Sequence, residues 1–258
     1  MNGRGWIAGA AASLALLGGA GPLSAAEVQH QTDYSIRLSG LPVATASFRS
    51  AFSGNRYTIS GSLHSAGLVD IFSRTQGTTS VSGTIGRDNL HATSYSVTYR
   101  SGKRGRAIDV TFRNGNVIHA SMVPARKKPD NWVPVSSADM RAVLDPISGL
   151  IIPAGKRICP KTLPIFDGES RMDFQLTSKG TKPYSTRGFK GEVVVCGIRF
   201  IPKSGYKKGR DDVEYLRRLK TMEIWFAKAE EANVYAPVYV RIPTKLGPVT
   251  VSATRFGG

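Results

Sequence analysis

The sequence predicts an all-β fold: a curved antiparallel meander rolled into a barrel- or spiral-like sheet, with one short helical insertion. Three observations carry this. Apolar and polar residues alternate with a period of two in run after run from Tyr34 to Phe256. The runs are rich in β-branched and aromatic residues, which suit a half-buried pleated surface. Tight-turn pairs separate them, above all Asn114-Gly115 and Asp167-Gly168, and such short-range pairing builds a meander instead of a parallel sheet.

In chain order, Tyr34-Ser-Ile-Arg-Leu-Ser alternates, Gly40-Leu-Pro turns the chain, and Val43 to Phe48 returns. Arg56 to Leu63 places Tyr57, Ile59 and Leu63 on one face, and Ser94 to Arg100 does the same for Tyr95, Val97 and Tyr99. The clearest hairpin runs from Ile108 to Met122, because Asn114-Gly115 accepts the positive φ angles of a type I′ turn. Residues 124–136 break the pattern with Pro124, Pro129 and Pro134 and read as an exposed loop. The helical insertion is expected next. Ser136 and Asp139 resemble a capping box, and Met140, Val143, Leu144 and Ile147 recur at helical spacing until Pro153. Strands resume at Thr162–Phe166, turn at Asp167-Gly168, and continue as Arg171–Leu176, Phe189–Ile201, Thr221–Lys228, Tyr235–Ile242 and Val249–Phe256. A long antiparallel sheet protects its edges best by curling on itself.

The first 26 residues read as a cleavable secretory signal. Arg4 is the only charge before Glu27, an apolar and small-residue stretch runs from Trp6 to Ala20, and Ser24-Ala25-Ala26 suits a signal peptidase. The domain organisation is therefore 1–26 signal peptide and 27–258 a single exported β domain. No cysteine lies near the cleavage point to carry a lipid, and no later stretch reaches the roughly 18 apolar residues of a spanning helix. No transmembrane anchor is expected. The full chain carries a net charge of +17, and removing Arg4 leaves 17 − 1 = +16. Export excludes nucleic acid as the partner of this charge. A lipid headgroup or an anionic envelope polymer remains, beside the plain alternative of a solvated basic surface.

Two cysteines, Cys159 and Cys196, read in an oxidising compartment as one structural disulfide. They lack the spacing of a zinc pair or a Cys-x-x-Cys redox motif. His30, His64, His91 and His119 form no metal motif, and neither a nucleophile elbow nor a phosphate or dinucleotide loop is present. No catalytic residue, metal or cofactor is expected. Asp145 and Asp167 are the carboxylates an acid–base pair would use, but Pro146 makes Asp145 a natural cap and Gly168 makes Asp167 a natural turn residue. Three basic clusters are the candidate anion-binding residues: Arg100, Lys103, Arg104 and Arg106; Arg126, Lys127 and Lys128; and Lys203, Lys207, Lys208 and Arg210.

Tyr34-Ser-Ile-Arg-Leu-Ser-Gly-Leu-Pro-Val-Ala, Leu144-Asp-Pro-Ile-Ser-Gly-Leu and Ile165-Phe-Asp-Gly-Glu-Ser-Arg-Met-Asp, with Met222-Glu-Ile-Trp-Phe, Pro237-Val-Tyr-Val-Arg-Ile and Gly247-Pro-Val-Thr-Val, succeed one another across nearly the whole mature chain. In that order they resemble the Gram-negative envelope proteins grouped as domain of unknown function 3108. The resemblance implies a periplasmic all-β protein without established activity, and so supplies no catalytic residues. The architecture is also similar to periplasmic β-spiral envelope-integrity proteins with one disulfide, by analogy only. Three readings of function compete, in descending order of support, and the first is the expected one. The first is a non-enzymatic envelope protein holding an apolar or lipid-like ligand in the curved sheet, with the basic loops at an anionic headgroup. The second is an envelope scaffold with a filled interior, binding a protein of unknown identity or a cell-wall polymer. The third is a hydrolase using Asp145, Asp167 or a histidine.

Overall fold

The computed structural model describes residues 26–67 and 74–258. The expected signal therefore lies outside the described residues, apart from Ala26. Seven strands form the first arm: β1 (Val28–Leu38), β2 (Leu41–Ser53), β3 (Arg56–Ser65), β4 (Thr75–Ile85), β5 (Leu90–Ser101), β6 (Arg104–Arg113) and β7 (Asn116–Val123). After short β8 (Trp132–Val133) and β9 (Ile152–Pro153) come β10 (Lys161–Phe166), β11 (Arg171–Thr186), β12 (Phe189–Ser204) and β13 (Tyr206–Lys207). A helix α1 (Asp211–Arg218) precedes β14 (Met222–Ala229), β15 (Val234–Thr244) and β16 (Gly247–Gly257). The main sheet runs β10-β11-β12-β14-β15-β16-β1-β2-β3-β4-β5-β6-β7. Every pairing between its named strands is antiparallel. The fold is thus the expected all-β antiparallel meander with one short helix.

The helix stands elsewhere than the sequence reading put it. Residues 136–150 form turns and a short 3-10 segment, Ser148–Leu150, while α1 follows the basic cluster of residues 203–210, between the strands expected to end at Ile201 and begin at Thr221. The capping box does form, with Asp139 Oδ2 accepting from Ser136 N at 2.9 Å and Asp139 N donating to Ser136 Oγ at 3.3 Å, but it closes a turn. The chain beyond this turn is a seam. Val117 N donates to Met140 O (2.9 Å) and Val143 N to Gly115 O (2.8 Å) on the β6–β7 side. Leu144 N donates to Pro164 O (2.8 Å) and Phe166 N to Leu144 O (2.9 Å) on the β10 side. Residues 140–144 therefore bond both outer strands, and the sheet closes on itself through this segment. The exposed N–H and C=O groups of the edges favour this extended backbone, because a helix would leave them without partners.

The chain then enters the barrel as a plug. Asp145, Ser148 and Ile152 have no exposed surface. The core divides around the plug. One cluster joins Tyr57, Ile59, Val81, Tyr95, Val110, Phe112 and Val143. The other joins Leu144, Leu163, Ile165, Leu176, Ile224 and Phe226 with Cys159 and Cys196. Cys159 and Cys196 form the disulfide, with Cα atoms 6.2 Å apart, tying the end of the plug to β12. Among the described residues no helix is long and apolar enough to cross a membrane.

Beyond Tyr239 and Ser252, β15 and β16 are no longer paired. The β11–β12 hairpin covers this opening. Tyr184 Oη donates to both Val238 O (3.1 Å) and Ala253 O (3.2 Å), and Thr186 Oγ1 donates to Ala253 O (2.9 Å).

Candidate ligand cavity and basic rim

Alternation along the strands decides what faces inward. His30, Thr32, Tyr34 and Ile36 of β1, Ala46, Phe48, Ser50 and Phe52 of β2, and Ile59 and Leu63 of β3 share the inner face with Val240 and Val251 across β15 and β16. These side chains, with Ile147, Leu150 and Ile151 of the plug, enclose a cavity of about 250 Å³. Fifteen of its nineteen lining residues are wholly apolar, the exceptions being His30, Thr32, Ser50 and Tyr34. The space exists because small and large residues alternate along the inner face of β2: Ala46, Phe48, Ser50, Phe52. Gly61 leaves room for Phe48, whose ring would lie 2.5 Å from a Cβ at that position.

The cavity has a floor and a mouth. His30, Thr32, Ser50, Phe52 and Ile59 are buried at one end, and Ile36, Leu63, Val240 and Val251 are half-buried at the other. The mouth lies toward the end that carries the β1–β2, β5–β6 and β15–β16 turns, because alternate connections of an antiparallel meander share an end. At the floor Thr32 Oγ1 meets His30 Nε2 at 3.2 Å, and the ring packs edge-on to Phe256. Burial holds the His30 imidazole below its ordinary value, partly offset by Glu231.

The basic clusters gather at the mouth end. Lys103, Arg104, Arg106 and Arg126 line one cup of about 590 Å³ with Tyr99, Ser101 and Gly105. Arg104 and Arg106 lie on the inward-facing register of β6 shared by Ile108, Val110 and Phe112. Glu169, on the β10–β11 turn, sits between two of these cations, 3.1 Å from Arg126 and 3.9 Å from Arg106. The guanidinium of Arg126 also lies 5.9 Å over the Trp132 ring. The Lys127 and Lys128 loop is bonded to the third cluster's loop, since Lys208 N donates to Asn131 O and Asn131 Nδ2 to Lys208 O, both at 2.9 Å. Arg126 and Arg210 line one small hollow between these loops. Arg100 alternates with Tyr99 and takes the opposite face, Lys203 lies 3.5 Å from Asp173, and Lys207 belongs to β13.

Asp145 and Asp167 occupy one neighbourhood, both raising the phenol of Tyr95, whose largest perturbation is burial. Each carboxylate is engaged locally. Asp145 Oδ1 accepts Ile147 N (2.9 Å) and Ser148 N (2.8 Å), and its Oδ2 accepts Ser148 Oγ, which in turn receives Tyr57 Oη at 2.9 Å. Asp167 Oδ1 accepts Glu169 N (2.9 Å) and Ser170 N (2.6 Å). Burial raises the pKa of both carboxyls. His64 and His119 are exposed, His91 half-buried, and among the described residues no group of three His, Cys, Asp or Glu could hold a metal ion.

Sequence reasoning put Ile59 and Leu63, and separately Tyr99, on shared strand faces, but it assigned neither them nor Glu169 to a site. The available signal for the lining was the pair of small inward residues, Ala46 and Ser50, among aromatics. Glu169 had none, because its partners are 43 and 169 − 106 = 63 residues away.

No curated protein matches the chain. Among solved structures it is similar to a β-barrel-like protein of domain of unknown function DUF1849 from Brucella abortus. That likeness has 9% sequence identity and a TM-score of 0.48, and it covers 89% of this chain and 97% of the other. The family described as protein of unknown function (DUF3108) matches residues 33–254. That match takes in every main-sheet strand from β2 to β15 and most of β1 and β16, so the chain belongs to the DUF3108 family.

Proposed function

We propose that this protein is a non-enzymatic binding protein of the periplasm that holds one slender apolar or lipid-like molecule in its barrel and so supports envelope integrity. The observation that carries this reading is the apolar cavity. At about 250 Å³ it exceeds the roughly 150 Å³ that accepts benzene, and falls just below the roughly 300–1,000 Å³ of drug-sized ligand sites. A single chain or ring fits that size better than a two-tailed lipid. The predicted signal and the disulfide favour an exported protein. Asp145 and Asp167, the carboxylates a hydrolase would use, are engaged in holding the plug and the β10–β11 turn.

Each methylene moved from water into this lining gains about 0.8 kcal/mol. Affinity should therefore climb with chain length and stop climbing when the cavity is full. The test is displacement of a fluorescent naphthylamine dye by primary alcohols of increasing length, together with mass spectrometry of lipid extracted from the purified protein. Ala46→Phe, which fills the cavity, should weaken dye binding about tenfold or more. A protein that neither brightens the dye nor carries an enriched lipid would overturn the reading.

A further inference from the structure

The cavity and the cup are joined by one inward-facing row. Leu63 of the cavity pairs with Gly77, Gly77 with Tyr99, and Tyr99 with Arg106 of the cup. Three inter-strand steps separate Leu63 from Arg106, about 14 Å at the usual spacing. Gly77, between them in the row, carries no side chain, and a Cβ there would lie 3.3 Å from Cβ of Tyr99. Among the described residues, the lining of the cup holds four cations and no carboxylate, and Glu169 bridges Arg106 and Arg126 from its edge. Two guanidinium groups on one carboxylate mark a place built for an oxyanion, and the surplus of positive charge suits a dianion better than a second carboxylate.

We propose that the cup binds the phosphate monoester of a single-chain lipid phosphate, whose tail lies in the apolar cavity and whose head takes the place of Glu169 on Arg106 and Arg126. This rests on the cavity reading above and adds to it the chemical class of the ligand. Arg104 and Lys103 close the cup from the β5–β6 turn, and the exposed ring of Tyr99 lies between head and tail. Glu169 then acts as an internal counter-ion that keeps the arginines together when no head is bound.

The experiment compares dodecyl phosphate, dodecanoate and dodecanol as dye competitors, below their aggregation concentrations, on the wild-type protein and on R106Q/R126Q and E169Q. Dodecyl phosphate should bind roughly tenfold or more tightly than dodecanol, with dodecanoate between them, and the advantage should shrink with added salt. R106Q/R126Q should erase the advantage while still binding dodecanol, which also shows that the variant folds. E169Q should raise the affinity for dodecyl phosphate about twofold to fivefold, because the internal competitor is gone. Inorganic phosphate at millimolar concentration should compete with dodecyl phosphate but not with dodecanol. If inorganic phosphate binds as well as dodecyl phosphate, the cup reads a free anion and the lipid phosphate is overturned. Equal affinities for dodecyl phosphate and dodecanol overturn the cup and leave the cavity reading standing. Failure of all three chains to displace the dye overturns both.

Discussion

Asp145 has no exposed surface, and burial pushes its carboxyl above the ordinary 3.8. A carboxyl raised in the folded state binds its proton more tightly there than in the unfolded chain. Stability from this group is therefore present at low pH and lost as pH rises from 3.8 through the raised value. Asn at this position keeps an oxygen for Ile147 N and Ser148 N but does not ionise. The unfolding free energy of wild type relative to Asp145→Asn should therefore increase between pH 7 and pH 4.5, as urea denaturation at both pH values would show. A constant difference would mean that Asp145 does not change ionisation on folding. Asp145→Ala, which strips both N–H groups of their acceptor, should cost about 2 kcal/mol or more at either pH. These contacts span two and three residues, so Pro146 beside Asp145 was enough to suggest them. The Tyr57–Ser148 bond that pins the plug to β3 spans 91 residues and had no local signal.

Strands were legible where their inner face was apolar, as in β3, β5 and β6. β4 was not, because Thr75–Ile85 is mostly Thr, Ser and Gly, with Val81 as its one buried large side chain. The segment 140–147 has a helical period, yet Val143 and Leu144 are neighbours buried in different clusters. Serving two cores in succession requires extended backbone, and sheet closure supplies the partners. The true helix, α1, buries no residue, so apolar periodicity could not find it. Its visible mark is charge order: Asp211, Asp212 and Glu214 in the first turn, Arg217 and Arg218 in the last, which complements the helix dipole. The seam also depends on the β10–β11 turn. Gly168 has φ +98°, and a Cβ there would lie 2.3 Å from Cγ2 of Ile108 on β6. Gly168→Ala combines an unfavourable backbone angle with overpacking, and should lower the unfolding free energy by about 2–4 kcal/mol in urea titration. A loss under about 0.5 kcal/mol would show that this turn does not wedge against β6.

At the scale of the molecule, the plug lines the cavity with Ile147, Leu150 and Ile151 and is fastened at both ends. The Asp145 cap and the seam hold its entry, and the bond from Cys159 to Cys196 holds its exit on β12. The bridge separates residues 37 apart, and closing a loop of that size is worth roughly 4 kcal/mol by chain entropy. For a domain of this length each kcal/mol moves the melting temperature by about 2–4 °C, so reduction should lower it by roughly ten degrees. The same treatment should weaken dye binding far less than it lowers the melting temperature, because Ile152 and Pro153 stay paired with Tyr235 and Val234 of β15 and keep Ile151 at the cavity wall. Calorimetry and dye titration of the oxidised and reduced protein, with Cys159→Ser/Cys196→Ser as a reagent-free control, measure both effects. Loss of melting temperature with unchanged dye affinity would assign the bridge to stability alone and leave the cavity to packing. Equal melting temperatures would mean that the cap, the seam and the core around Leu163 and Phe226 hold the plug without help from the sulfurs.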